Sequence, residues 1–99
     1  MDLTAKELFS QYGKEGVLIE LKGNQSIKIE NISAFSNGKK GDLIFVPDER
    51  ALEIAIKGNC SAMVIDKKMA KLSSKINNEI AIFLSITMAE QFPFIAISR

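Results

Sequence analysis

A chain of 99 residues supports one domain with a single core, hiding roughly two-thirds of the surface its unfolded form exposes. Apolar content of 46% and charged content of 25% match ordinary globular usage and exclude a disordered tract, while 13 basic against 12 acidic residues argue against a duplex-DNA binder. With no histidine and one cysteine, Cys60, the chain holds no internal disulfide, no cysteine zinc site and no Ser-His or Cys-His nucleophile pair.

Met1-Asp2-Leu3-Thr4 lacks the basic and apolar regions of a secretion signal. No apolar run approaches the ~20 residues of a membrane helix, so the expectation is a cytoplasmic protein with no transmembrane segment. Thr4 followed by Glu7 predicts a capping box. Leu8, Phe9 and Tyr12 give the helix behind it one apolar side, and Gly13 is its natural stop. Gly16 to Leu21 reads as a strand around Val17-Leu18-Ile19, and Gly23-Asn24 as a turn. A return strand from Ser26 to Ile32 then predicts a hairpin.

From Ser33 to Lys40 the residues are those of a loop. Gly41-Asp42 ends it, Leu43-Ile44-Phe45-Val46 makes a short buried strand, and Pro47 forbids its extension. Asp48 is placed to cap a helix running to about Lys57, with Leu52, Ala55 and Ile56 turned inward. Cys60 to Ile65 is a strand without alternation, as expected of one covered on both faces. Lys67 to Ser74 is a short basic helix and Ile80 to Leu84 a third apolar strand. A last helix from Ser85 to Phe92 would end at Pro93, leaving an apolar tail. The whole predicts a single α/β domain over residues 1–99: a small mixed sheet of about five strands, made of an N-terminal hairpin plus a parallel βαβαβ part, flanked by short helices.

Little in this pattern carries chemistry. Gly41-Asp42 is explained by a turn before a strand, although open α/β sheets place ligands at the carboxyl ends of such strands. Phe45 fits a core, or a platform on which a flat base stacks. Lys67, Lys71 and Lys75 fall at i, i+4 and i+8 on a helix, a solvated surface or a face for an anionic partner. Glu49, Glu53 and Arg50 read as an exposed ion-pair face. No phosphate loop, metal-ligand spacing or nucleophile elbow occurs, so no catalytic residue, metal site or cofactor is nominated.

The segment Ile29–Ile65 resembles the amino-terminal domain of UDP-3-O-acylglucosamine N-acyltransferases of lipid A biosynthesis. The counterparts are Ile29 and Ile32 in a first strand, Gly41-Asp42-Leu43-Ile44-Phe45-Val46 in the Gly-Asp-x-x-Phe motif, and Ala62-Met63-Val64-Ile65 in a later strand. Mur ligase amino-terminal domains carry a similar pattern. The resemblance implies a uridine-binding fold in which Phe45 stacks on the uracil of a UDP-N-acetylglucosamine-type nucleotide sugar. It also places Asp48 where the family has a hydrogen-bonding asparagine and Ala51 where it has a second stacking aromatic, tyrosine. The family's hexapeptide-repeat catalytic part, with its histidine base, has no counterpart in this sequence.

The expected function is therefore that of an amino-terminal domain of such an acyltransferase, or a free-standing relative, contributing UDP-sugar binding without catalysis. The competing expectation is a non-enzymatic protein-interaction module that kept the fold and lost the nucleotide. Such a module would meet a protein partner, or a second copy of itself, through residues 92–97 or through the Lys67/Lys71/Lys75 face. Nucleic acid is not an expected partner.

Overall fold

The computed structural model of the chain describes residues 2–13 and 18–86. Strand β1 (Leu3–Thr4) runs directly into helix α1 (Ala5–Gly13). The Glu7 N–H donates to Thr4 Oγ1 at 3.2 Å and the Thr4 N–H donates to Glu7 Oε1 at 3.0 Å, which is the predicted capping box. The Thr4 N–H, and after it the Thr4 hydroxyl, hold the Glu7 carboxyl below the usual glutamate range. The small stabilisation that goes with this is present above that range and is lost as the pH falls through the lowered value.

There follow β2 (Leu18–Gly23), β3 (Lys28–Ile29), β4 (Asn31–Ser33), β5 (Asp42–Val46), helix α2 (Glu49–Ile56), β6 (Ala62–Asp66), a 3₁₀ helix (Lys67–Lys75) and β7 (Ala81–Ser85). Five strands form a mixed sheet in the order β2-β7-β6-β5-β4, and β1 pairs with β3 in a separate two-stranded ribbon. β4, β5, β6 and β7 are parallel, as alternation of strand and helix predicts, while β2 is antiparallel to β7.

The predicted N-terminal hairpin does not form, because the backbone groups of its turn are engaged elsewhere. The Asn24 N–H donates to the Ile80 carbonyl at 3.0 Å, prolonging the β2–β7 ladder. The carbonyls of Gln25 and Ile27 accept from the N–H groups of Lys6 and Ala5, both at 2.9 Å. The turn thus ties β7 to the start of α1 instead of zipping β2 onto its successor. Gly23 sets the departure with φ of +82°, and a Cβ there would fall on the Ile80 carbonyl oxygen. The expected return strand also divides at Glu30. Both Glu30 and Asn31 donate to the Gly41 carbonyl, at 2.7 and 3.2 Å, so β3 joins the ribbon and β4 joins the main sheet.

Strand alternation sends side chains to two cores. On one face Leu43, Val64 and Phe83 pack against Ala5, Leu8 and Tyr12 of α1. On the other, Ile44, Met63, Ile65 and Leu84 pack against Ala51, Leu52 and Ala55 of α2 and against Ile76. The central strands β5 and β6 are apolar on both faces because both faces are covered. Both crossovers, β5 to β6 and β6 to β7, lie on the α2 side, as same-handed connections in a sheet advancing one way require.

Ile56, expected to face inward, is 38% exposed. At about 100° per residue it lies well off the stripe centred on Ala51, Leu52 and Ala55. The basic helix is 3₁₀ rather than α over Lys67–Lys75, which changes its lysine pattern. At three residues per turn, positions four apart are displaced by about 120°, so Lys67, Lys71 and Lys75 point in three directions instead of forming one face. Lys68 and Lys71 share a side in this geometry. Ser85 closes β7 rather than opening a helix; the rest of that expected helix and the apolar tail 92–97 fall outside the described residues. Among the described residues no helix is long and apolar enough to cross a membrane.

Candidate functional site

Two polar or semi-polar constructions border β5, one at each end. At the carboxyl end, Phe45 is the single half-buried residue in a strand whose other four positions are buried. Register pairs it with Val64, and it packs at the margin of the α1-side core. Pro47 stops the strand, and Asp48, in an extended conformation, caps α2 by accepting from the Ala51 N–H at 2.8 Å. Phe45 therefore belongs to the layer on the α1 side, whereas Asp48 opens the helix that covers the opposite face. The rim of β5 holds both residues without directing them to one point. Ala51 is 2% exposed on the inner side of α2 and offers no second platform.

The neighbouring strand ends are occupied by structure as well. Asp66 caps the 3₁₀ helix through the Lys68 N–H at 2.8 Å, and the buried Ser85 hydroxyl donates to the Ile65 carbonyl at 3.3 Å. Asp48 behaves in the same way, so its substitution reads out capping. Asp48→Ala should cost about 1 kcal/mol in urea unfolding while Asp48→Asn, which keeps an acceptor, costs a few tenths at most. Equal losses for the two variants would show that the carboxylate charge, and not the cap, is what matters.

At the amino end the sequence pair Gly41-Asp42 makes a buried hydrogen-bond junction that residue patterns alone did not reveal. Asp42, 8% exposed, accepts on Oδ2 from the Ser33 hydroxyl at 2.9 Å and from the Lys39 N–H at 3.0 Å. The Gly41 N–H donates to the Ser61 hydroxyl at 2.6 Å, and the Ser61 N–H donates to the Asp42 carbonyl at 3.0 Å. The Ser61 carbonyl then accepts from Ala81 at 3.0 Å. Gly41 reaches this geometry with φ of +95°, where a Cβ would lie 2.6 Å from Glu30 Oε2. β4 and the amino ends of β5, β6 and β7 are thereby stitched together in one chain of bonds.

Next to that junction an open groove of about 840 Å³ runs between Asn31, Ser33, Asn37, Gly38, Lys39 and Asp42. It is on the β4 side and is separate from Phe45. Among the described residues no group of three or more His, Cys, Asp or Glu is placed to hold a metal ion. Cys60 is buried at 6% exposure, and that burial pushes its thiol up from the ordinary cysteine value, away from the thiolate a nucleophile needs. Near the sheet ends the Ser33 hydroxyl donates to the Asp42 carboxylate, the Ser85 hydroxyl donates to the Ile65 carbonyl, and the Ser61 hydroxyl accepts from the Gly41 N–H.

No protein-family model matches the chain, and no curated protein matches its sequence.

Proposed function

We propose that this chain is a non-catalytic nucleotide-sugar-binding module, built like the amino-terminal domain of a UDP-3-O-acylglucosamine N-acyltransferase and serving the UDP-sugar step of lipid A biosynthesis. The observation that carries the reading is the position of Phe45. It is the half-buried residue of β5, at the carboxyl end of a strand in a βαβ unit, where open parallel sheets receive ligands. The parallel arrangement of β5, α2 and β6 supports the same reading. With Asp48 committed to its helix and Ala51 turned inward, a uracil would meet one aromatic face. One stacking face in place of two lowers affinity by about ten- to a hundred-fold.

The test is titration of the full chain with UDP-N-acetylglucosamine while following backbone amide shifts. Saturable shifts centred on Phe45 and Pro47–Asp48 are expected, and Phe45→Ala should weaken them by at least about tenfold without unfolding the chain. Absence of any perturbation there at millimolar ligand would sink the nucleotide reading.

A further inference from the structure

Among the described residues the five-stranded sheet ends in two outer strands of different character. β4 has three residues and is flanked by polar side chains. β2 has six, Leu18-Ile19-Glu20-Leu21-Lys22-Gly23, and in this sheet its ladder to β7 shifts register between Leu18 and Glu20 and is regular from Glu20 to Gly23. A long outer strand carries a row of outward N–H and C=O groups suited to another strand, and short or polar edges suppress such pairing. Beside β2 an apolar groove of about 740 Å³ opens between the strand and α1, lined by Phe9, Leu18, Ile19, Leu21 and Ile86. Ile19 and Ile86, both lining it, are 46% and 45% exposed.

We propose that β2 is the docking edge for a second copy of this chain, the two β2 strands pairing antiparallel about Leu21. The charge pattern of the strand selects this occupant. Glu20 and Lys22 flank Leu21 and, two residues apart, project from the same face of the strand. Within one copy they lie 3.9 Å apart, and Lys22 Nζ donates to Ser73 Oγ at 3.3 Å, which holds the ammonium on the α2 side of the sheet. In an antiparallel pair centred on Leu21, Glu20 of each copy faces Lys22 of the other, giving two cross-strand pairs of opposite charge. Centring the pair on Glu20 sets glutamate against glutamate, and centring it on Lys22 sets lysine against lysine. One register is therefore favoured by charge and its neighbours are opposed. The same pairing brings Leu21 against its copy on the α1 side, next to the groove. This contact is independent of the nucleotide reading, since β2 and Phe45 are at opposite sides of the sheet.

Sedimentation equilibrium of the full chain, over a concentration series reaching the millimolar range, tests it. The wild type should dimerise as concentration rises, with exchange of the Ile19–Gly23 amides slowing in parallel. Glu20→Lys or Lys22→Glu alone converts two attractive pairs into two repulsive ones and should weaken the dimer by about tenfold or more. The double variant Glu20→Lys/Lys22→Glu restores complementarity and should dimerise again, and a mixture of the two single variants should form the heterodimer. Thermal unfolding of each variant separates loss of the contact from loss of the fold. A monomer throughout the series overturns the proposal, whether its β2 amides exchange freely or are protected by another part of the same chain. So does a dimer that survives both single substitutions.

Discussion

Phe83→Ala should destabilise the domain by about 3–5 kcal/mol, the largest loss expected from any single truncation in the described core. Phe83 sits on β7, between β2 and β6, with Leu21 and Val64 beside it in register, and it is fully buried. It is the largest of the fully buried side chains. Removing its ring loses the transfer energy of the aromatic and opens a cavity toward Leu8 and Tyr12 of α1. Little can move in to fill that space, because hydrogen-bonded strands on either side fix the neighbouring Cα positions. A domain of this size is stable by about 5–15 kcal/mol, so the variant gives up a large share of that margin, and its unfolding midpoint should fall by about 15 °C or more. The contrast is Ile54→Ala on α2, where the side chain is 43% exposed and the loss should stay within about 0.5 kcal/mol. A Phe83→Ala cost under about 1 kcal/mol in urea unfolding would mean that α1 does not close over this face of the sheet in solution.

The sequence disclosed the elements whose cause is local. Thr4 and Glu7 are three residues apart and make their capping box regardless of what packs beyond them. Asp42–Val46 begins after a glycine with positive φ and ends before proline, so its limits were visible in the residues that bound it. What was hidden depends on partners distant in the chain. β2 looked like half of a hairpin because Gly23-Asn24 is a turn signal, yet its ladder partner, β7, is some sixty residues further on. Whether the Asn24 N–H would find β3 or Ile80 is settled by sheet order, to which no local pattern points. The lysines of Lys67–Lys75 align at α-helical spacing, and the 3₁₀ geometry that separates them is not signalled by that spacing.

The candidate site divides along the same line. That a strand end near Phe45 would stand at the rim of a sheet was legible from Gly41-Asp42 before it and Pro47 after it. That Phe45 and Asp48 would serve opposite faces was not, because it follows from which side α1 and α2 cover. Ser33 and Ser61 carried no signal at all. Their roles appear only when a loop returns them to Asp42 and Gly41 across 9 and 20 residues of sequence.

That junction supplies the second large effect. Asp42→Ala should cost about 3–5 kcal/mol, while Asp42→Asn should cost about 1 kcal/mol. The carboxylate receives two bonds on one oxygen, from the Ser33 hydroxyl and the Lys39 N–H, and it is nine-tenths buried. Bonds to an ionised acceptor contribute about 1.5–3 kcal/mol each, and alanine both removes them and leaves two donors beneath β4 without an acceptor. Asparagine puts a carbonyl oxygen where Oδ2 was and keeps both bonds, losing only their charge assistance. The backbone bonds from the Ser61 N–H to the Asp42 carbonyl and from the Asp42 N–H to the Lys39 carbonyl survive in either variant, so the alanine protein should retain β5 while its β4 edge loosens. Amide exchange should therefore accelerate first at Asn31–Ser33 and Lys39, with β6 and β7 following only near global unfolding. Equal costs for alanine and asparagine would show that charge rather than bonding holds the turn. A negligible cost for both would show instead that the bonds to Asp42 do not hold the turn in solution. The predicted order, alanine far above asparagine, makes the Gly41-Asp42 pair the fastening of the sheet.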